Sequence, residues 1–429
     1  MHIVMLALGS RGDVQPFVAL ALGLQAQGHR VTIAAAADYA PLATAYGISF
    51  APLVGYVREL MNFGLVNELL DGAHNPLYFA RAFLAELTPL LTTIMADCWQ
   101  IAQQADLLIV STLGLYLGLE LVEKQRCPLV AVHFHPLFAT PAHAHVNFPT
   151  VPAWLPGAAP YHRFTHWVGQ HGFGQLLGPA LNRARQTALG LPPLSRWERY
   201  RRAQAALPTL YAYSATVAPL PMGTILPAPS ALTGYWFLPQ SPAWQPPAVL
   251  QEFLAVGPPP VVITFGSILG GRNPDQMTAL LAAALTQSGH RGLIYRGWGD
   301  LGNIALPPTV LAIDAIPHDW LFARCAAVVH HGGAGTTAAV LRAGVPSVVV
   351  PVFGDQRLWA ARIYALGAGP SPLPRRQLTV ARLAAAIEQA VTQPALRSQA
   401  QRLQQALQTE DGVGVAVAWL EERYGLYAT

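Results

Sequence analysis

The chain has 429 residues, more than one ordinary core accommodates, and fits two domains of roughly 200 residues each. Hydrophobic residues make up 52% and charged residues 11%, so its surfaces are sparsely ionised, which favours apolar partners or contact with a membrane surface. The net charge of +4 is scattered without a sustained basic stripe, which argues against nucleic acid as a partner.

The first residues, MHIVMLALGSRGD, lack a basic start and meet Arg11 and Asp13 where a cleavage site would stand, so 2–8 reads as a buried strand and not as a signal peptide. A helix near 17–27 and the strand RVTIAAA at 30–36 complete a βαβ opening. The apolar and aromatic run over 56–99, with Tyr78, Phe79 and Phe83, reads either as a lid or as core. Continuous apolar runs at 107–112 and 129–134 have the character of strands buried on both faces of a parallel sheet. Arg196, Arg199, Arg201 and Arg202, with Trp197 and Tyr200, form the densest basic cluster, read as a solvated helix face in preference to a site for an anionic lipid or acceptor.

Prolines then crowd the chain, and the alternation restarts with strands at 261–267, 293–297, 326–331 and 346–354. The fold class expected is α/β, with two Rossmann-like doubly wound domains. Residues 1–215 form the first, 216–248 a proline-rich connection, 249–405 the second, and 406–429 a C-terminal amphipathic helix that packs on either lobe. Cys98, Cys127 and Cys325 are far apart with no CxxC spacing, which points to a reducing compartment and a cytoplasmic protein. No run approaches the ~18 apolar residues that cross a bilayer, so membrane contact, if made, is peripheral. The sequence leaves the oligomeric state open.

The most informative stretch is AAVVHHGGAGTTAAVLRAGVPSVVVPVFGDQ, from Ala326 to Gln356. Gly332, Gly333 and Gly335 remove side chains at a strand-to-helix turn, and the first N–H groups of the helix begun by Ala334 and Thr336 have no internal partners. Such an end suits a phosphate, because free amides converge there and the peptide dipoles add partial positive charge. The spacing is neither GxGxxG nor a P-loop, which sets the chain apart from dinucleotide dehydrogenases. Taken alone, the glycines also fit tight strand–helix packing, with His331 a satisfied core histidine.

The chain resembles the family 1 nucleotide-sugar glycosyltransferases of the GT-B fold, in the branch of sterol and antibiotic-aglycone glucosyltransferases. The likeness is carried by GSRGDVQPFVAL at 9–20, TGYWFL at 233–238, FGSI at 265–268, PHDWLF at 317–322, HHGGAGTT from His330 and FGDQ at 353–356. It implies that Ser267, His331, Gly333, Ala334, Gly335 and Thr336 hold the donor diphosphate, and that Asp355 and Gln356 bind the donor hexose. The base and ribose fall near Ala315, Ile316 and His318. Many plant members carry a base-stacking tryptophan where Ala315 stands, so UDP-glucose as donor rests on the resemblance alone.

Chemistry needs a base, and Asp13 lies just after the first strand, where doubly wound sheets present ligands. A carboxylate there accepts the proton of an acceptor hydroxyl as it attacks the sugar, and the resembling branch places its catalytic aspartate at this position. The competing role is helix capping. Pro16 weighs for catalysis, because proline favours the first helical turn and so leaves Asp13 in the loop with its carboxylate free.

No two aspartates stand at DxD spacing, so the expected enzyme needs no metal and no cofactor beyond its nucleotide sugar. His133, His135, His143 and His145 have metal-ligand spacing but lack accompanying thiolates or carboxylates. His133, Phe134 and Phe148 are expected instead to line an acceptor pocket. The expected reaction is inverting transfer of a hexose to a hydroxyl of an apolar sterol, polyketide or phenol. A sugar-nucleotide epimerase of the same fold and a non-catalytic nucleotide-sugar-binding protein are the alternatives.

Overall fold

The computed structural model describes residues 1–55, 76–152, 154–203, 207–221, 224, 226–227, 229–241, 244–266, 273–296, 304–314 and 316–425, without the side chains of 76–86, 173 and 203. Among the described residues the chain divides into two compact units, the first of 1–55, 76–239 and 411–425, the second of 240–410.

The first unit is a seven-stranded parallel sheet in the order β3-β2-β1-β4-β5-β6-β7. Its strands are β1 (His2–Leu6), β2 (Arg30–Ala36), β3 (Ser49–Leu53), β4 (Leu107–Ser111), β5 (Leu129–His133), β6 (Thr209–Tyr211) and β7 (Ser230–Leu232). β1 runs beside β2 with His2 opposite Arg30 and beside β4 with Ile3 opposite Leu107. All five residues of β4 and of β5 are buried, as uninterrupted apolar strands covered on both faces must be. The covering helices are α1 (Arg11–Ala26), α2 (Ala40–Thr44), α3 (Pro76–Ala102), α4 (Leu115–Gln125), α5 (Ala158–Ala184) and α6 (Arg196–Ala203). Val4, Leu6, Leu108, Val110, Leu117 and Leu181 meet in the core on one side.

The second unit is a five-stranded parallel sheet in the order β10-β9-β8-β11-β12. Its strands are β8 (Val261–Thr264), β9 (Gly292–Tyr295), β10 (Val310–Ile313), β11 (Ala327–His330) and β12 (Ser347–Val349). Its helices are α7 (Ala248–Ala255), α8 (Pro274–Gln287), α9 (His318–Phe322), α10 (Ala334–Ala343), α11 (Gln356–Ala365), α12 (Val380–Thr392) and α13 (Pro394–Gln408). Two cores sandwich the sheet, Val261, Ile263, Val329 and Ile387 on one face and Val262, Leu293, Val328 and Phe322 on the other. In both sheets chain order reverses beside the first strand, between β1 and β4 and between β8 and β11. Loops diverge at those points and open a crevice beyond the strand ends, where ligands of doubly wound sheets bind.

The proline-rich segment is more than a connection. β7 lies inside 216–248 and pairs with β6, Thr209 opposite Ser230, and Thr233 donates its N–H to the Tyr211 carbonyl at 3.0 Å. Proline is tolerated there because β7 is an edge strand, with one side of its backbone unpaired. The final helix, α14 (Gly412–Tyr424), begins after Asp411, whose side chain accepts the Gly414 N–H, and it belongs to the first unit. It packs closely on α1 because Gly23 has no side chain: a Cβ there would lie 2.7 Å from Val413 and 3.0 Å from Val417. Among the described residues no helix is long and apolar enough to cross a membrane.

Candidate active site

At the switch point of the first unit, Ser10 caps α1: its side-chain oxygen accepts the Gly12 N–H at 3.2 Å. Asp13 reaches back, and its Oδ2 receives the Ser10 N–H at 2.8 Å and the Ser10 hydroxyl at 3.2 Å. This reciprocal box starts the helix at Arg11, more than one turn earlier than Pro16 suggests. Pro16 therefore lies inside α1, and Asp13 is its third residue, held by Ser10, not a loop residue with an unengaged carboxylate. Capping does not exclude proton acceptance, because both Ser10 donors go to a single oxygen, Oδ2. Nearby, burial raises the Tyr39 hydroxyl's pKa, and the charges of Asp13 and Asp38 raise it further.

The three residues expected around an acceptor have different surroundings. His133 ends β5 and is buried, with its Nδ1 2.9 Å from the Thr112 hydroxyl and its ring 5.7 Å from that of Tyr211. Burial, helped by His135, pushes it down to about 3, so it is neutral at physiological pH. Phe134 is turned into the core, edge-on to Phe17 at 6.1 Å and to Trp236 at 6.2 Å, because α1 and the 233–238 segment converge on that end of β5. Phe148 is half-buried in a turn, with its ring 6.2 Å from His145. Burial lowers His135, His145 and His166 to about 4. Among the described residues no three His, Cys, Asp or Glu side chains converge as metal ligands would.

In the second unit β11 ends at His330, and His331 leads into the glycine turn. Gly332 has φ +89°, open to glycine, and a Cβ there would meet Val349 at 2.9 Å and the Gln356 carbonyl at 3.0 Å. Its N–H bonds to the Nδ1 of fully buried His330 at 3.2 Å, so that histidine supports the turn. Gly333 is the N-cap of α10 and supplies no side-chain acceptor, so the first amides, at Ala334, Gly335 and Thr336, have no side-chain cap from it. The His331 ring lies against both glycine backbones, such that a Cβ on Gly333 would fall 2.5 Å from its Nε2 and one on Gly266 3.4 Å from its Cε1. Burial lowers His331 to about 4, and its Nδ1 makes no hydrogen bond with the described residues.

Asp355 and Gln356 stand where β12 gives way to α11. Gln356 is buried, and its side-chain oxygen accepts the N–H groups of Val352 at 2.8 Å and Phe353 at 3.2 Å, so its NH2 is the end that takes no part in these bonds. Asp355 accepts the indole N–H of Trp359 at 2.9 Å, and burial raises its carboxyl to about 6 against the opposing effect of that bond. Trp359, the partner of this candidate site residue, was missed by the sequence reading, although its place one helical turn after Asp355 was visible. In the segment expected to border the base, His318 stacks on Phe322 at 4.4 Å, and the Ile316 carbonyl accepts the Tyr295 hydroxyl at 2.8 Å. Ser267 and Ala315 lie outside the described residues.

Comparisons with known proteins agree on the class. Residues 3–106 match the glycosyltransferase family 28 N-terminal domain, and 299–412 match the erythromycin biosynthesis protein CIII-like C-terminal domain. A sterol 3-beta-glucosyltransferase of Arabidopsis thaliana is 35% identical over 97% of the chain, which spans 67% of that protein. One of Aspergillus terreus is also 35% identical over 97% of the chain, which spans 29% of the fungal protein. Among solved structures, the glycosyltransferase VinC in complex with dTDP has a TM-score of 0.65 at 22% identity, covering 99% of this chain and 100% of its own. The calicheamicin glycosyltransferase CalG4 has a TM-score of 0.64 at 21% identity, covering 99% and 97%. Two parallel α/β units, a glycine turn at one switch point and this extent of likeness lead to one assignment: the chain belongs to the family of the sterol 3-beta-glucosyltransferases, glycosyltransferases of the GT-B fold.

Proposed function

We propose that the protein is an inverting, metal-independent transferase that moves glucose from UDP-glucose to a hydroxyl of an apolar acceptor, with a sterol the favoured class. The observation that carries this reading is the start of α10, where uncapped amides adjoin a His331 Nδ1 that has no hydrogen bond among the described residues. A diphosphate supplies acceptors for both. Because neutral His331 donates a hydrogen bond and the helix end supplies positive potential, the leaving group's charge is met without a metal ion.

In the proposed step, the acceptor oxygen attacks the sugar's C1 while its proton passes to Asp13, and the bond from C1 to the diphosphate oxygen breaks. Attack opposite the leaving group converts an α-linked donor into a β-linked product. The Asp355 carboxylate accepts from hexose hydroxyls, and the Gln356 NH2 donates to one. Ser267 adds a diphosphate contact, and Ile316, His318 and Ala315 border the base. The first unit receives the acceptor. An acceptor of this polarity resides in membranes, so the same reading makes the protein a peripheral, cytoplasmic one.

The test is to incubate the full chain with UDP-glucose and a panel of sterols, phenols and other apolar alcohols, followed by mass spectrometry. A hexose increment on a sterol, with a β linkage and undiminished in chelator, supports the reading. Consumption of the donor without any adduct would overturn it.

A further inference from the structure

Every tryptophan and phenylalanine that is exposed among the described residues falls between positions 154 and 197. Trp154 is 79% exposed, Phe164 61%, Trp167 49% and Trp197 65%. Large rings left in water at one place are costly for a monomeric surface and mark a contact. On α5, Arg163, Phe164 and Trp167 share the outward face. His162, Thr165 and His166 point inward to the loop after β5: His162 Nδ1 is 2.8 Å from the Pro141 carbonyl, the Thr165 hydroxyl accepts the His145 N–H at 3.0 Å, and His166 Nε2 is 3.1 Å from the His143 carbonyl. One helix thus covers the histidine loop with one side and displays rings on the other.

Those rings are ordered against one another. Phe164 stacks with Trp167 at 6.1 Å, Trp167 with His171 at 5.4 Å, His171 meets Tyr200 of α6 at 4.9 Å, and Tyr200 stacks with Trp197 at 5.3 Å. Five rings therefore join α5 and α6 into one surface whose side chains are already positioned, with little rotamer freedom left to lose on docking.

Charge identifies the occupant. Residues 151–203 hold seven arginines and a single acidic residue, Glu198. Three of the arginines turn inward: Arg185 and Arg199 both bind Glu120, and Arg185 and Arg202 both bind Glu123. Arg163, Arg183, Arg196 and Arg201 remain exposed on the helices that carry the rings, while Glu198 is engaged by the Ser195 N–H at 2.8 Å. The outward face is thus aromatic and cationic together. Indole and phenol rings settle at the headgroup level of a bilayer, and arginine is attracted to anionic lipid.

We propose that this α5–α6 face docks the protein on an anionic phospholipid bilayer, with Phe164, Trp167 and Trp197 seated at the interface and the exposed arginines on lipid phosphates. Insertion is shallow, as for surface-lying amphipathic helices. The proposal rests on the reading of the protein as a peripheral membrane protein and is independent of which acceptor is glycosylated. Ring burial and charge act together, so salt weakens binding without abolishing it.

The test uses the full chain and phosphatidylcholine vesicles with and without phosphatidylglycerol, read by co-sedimentation and by quenching of tryptophan fluorescence with brominated lipid. Binding and quenching are expected to be much stronger with phosphatidylglycerol than without it. The double variants Trp167→Ser/Trp197→Ser and Arg196→Gln/Arg201→Gln should each lower partitioning by about tenfold or more. Turnover of a water-soluble phenol should stay at the wild-type rate, which separates this surface from catalysis. Absence of wild-type binding, or equal binding by the arginine variant, overturns the proposal. So does a concentration-dependent dimer that the tryptophan variant abolishes, which would give the face to a second copy. If the tryptophan variant misfolds by circular dichroism, the arginine pair and the wild-type quenching decide.

Discussion

Asp13 lies directly over the backbone of Gly9: a Cβ on Gly9 would fall 2.2 Å from the Asp13 Oδ2. Gly9 also has φ +137°, a conformation that side chains rarely adopt, so two constraints select glycine at the switch point of the first unit. Because the proposed base owes its position to a missing methyl group, Gly9→Ala and Asp13→Asn should both lower kcat, by roughly 10²- to 10⁴-fold. UDP affinity, measured by calorimetry, should be unchanged in both. Wild-type turnover in Gly9→Ala would show that this carboxylate's position does not matter.

His331→Ala removes a donor to the diphosphate and should raise the KM for the nucleotide sugar roughly 10- to 100-fold, the value of one or two charge-assisted hydrogen bonds. Gly333→Ala should act in the same direction by pushing the His331 ring away, since its Cβ would lie 2.5 Å from Nε2. Initial rates across donor concentration check both. An unchanged KM in both variants would remove the diphosphate from this turn.

Burial holds Asp355 at about 6, above its ordinary 3.8. Donor hydroxyls need the ionised form, so kcat/KM for the donor should fall as pH drops through about 6, and Asp355→Asn should flatten that limb while raising donor KM. Stability runs the other way. The folded state binds the proton more tightly than the unfolded chain, so this group's contribution declines as pH rises from about 4 to about 6. Asp355→Asn should therefore melt at higher temperature than the wild type at pH 7, and a lower Tm would contradict the burial argument.

Glu120 is nearly fully buried between Arg185 and Arg199, and Arg199 Nη1 lies 2.8 Å from it. Glu120→Ala leaves buried Arg185 with less compensation and should cost about 3–5 kcal/mol by denaturant unfolding. Arg185 and Arg202 hold the neighbouring Glu123 down to about 2 from 4.5. Its contribution is complete above pH 4.5 and is lost as pH falls toward about 2. Acid stability that is identical in wild type and Glu123→Gln would rule out this contribution.

Among the elements, β2 at 30–36 was readable residue for residue, as was the turn from His331 into the helix begun by Ala334, because apolar runs and glycine-bearing turns are written in consecutive residues. The start of α1 was misplaced because proline is a strong local signal, and the Ser10–Asp13 box that overrode it is a side-chain geometry that residue types alone do not specify. Phe134 was placed at a pocket because strand ends carry ligands, yet Phe17 and Trp236, distant in sequence, draw it into the core.

The sequence by itself determined the class of chemistry. Strand runs, glycine turns and the order of short motifs need only neighbouring residues, and those fix two doubly wound units with a glycine turn at a helix start. Only the tertiary structure decided which way each side chain faces. Arg199 and Arg202 turn toward Glu120 and Glu123, 79 positions away in each case, while Trp197 and Arg201 on the same helix face out. Such choices follow from desolvation and pairing with partners that sequence proximity does not reveal, so a cluster that reads as one solvated face resolves into a buried ion-pair network and an exposed aromatic surface.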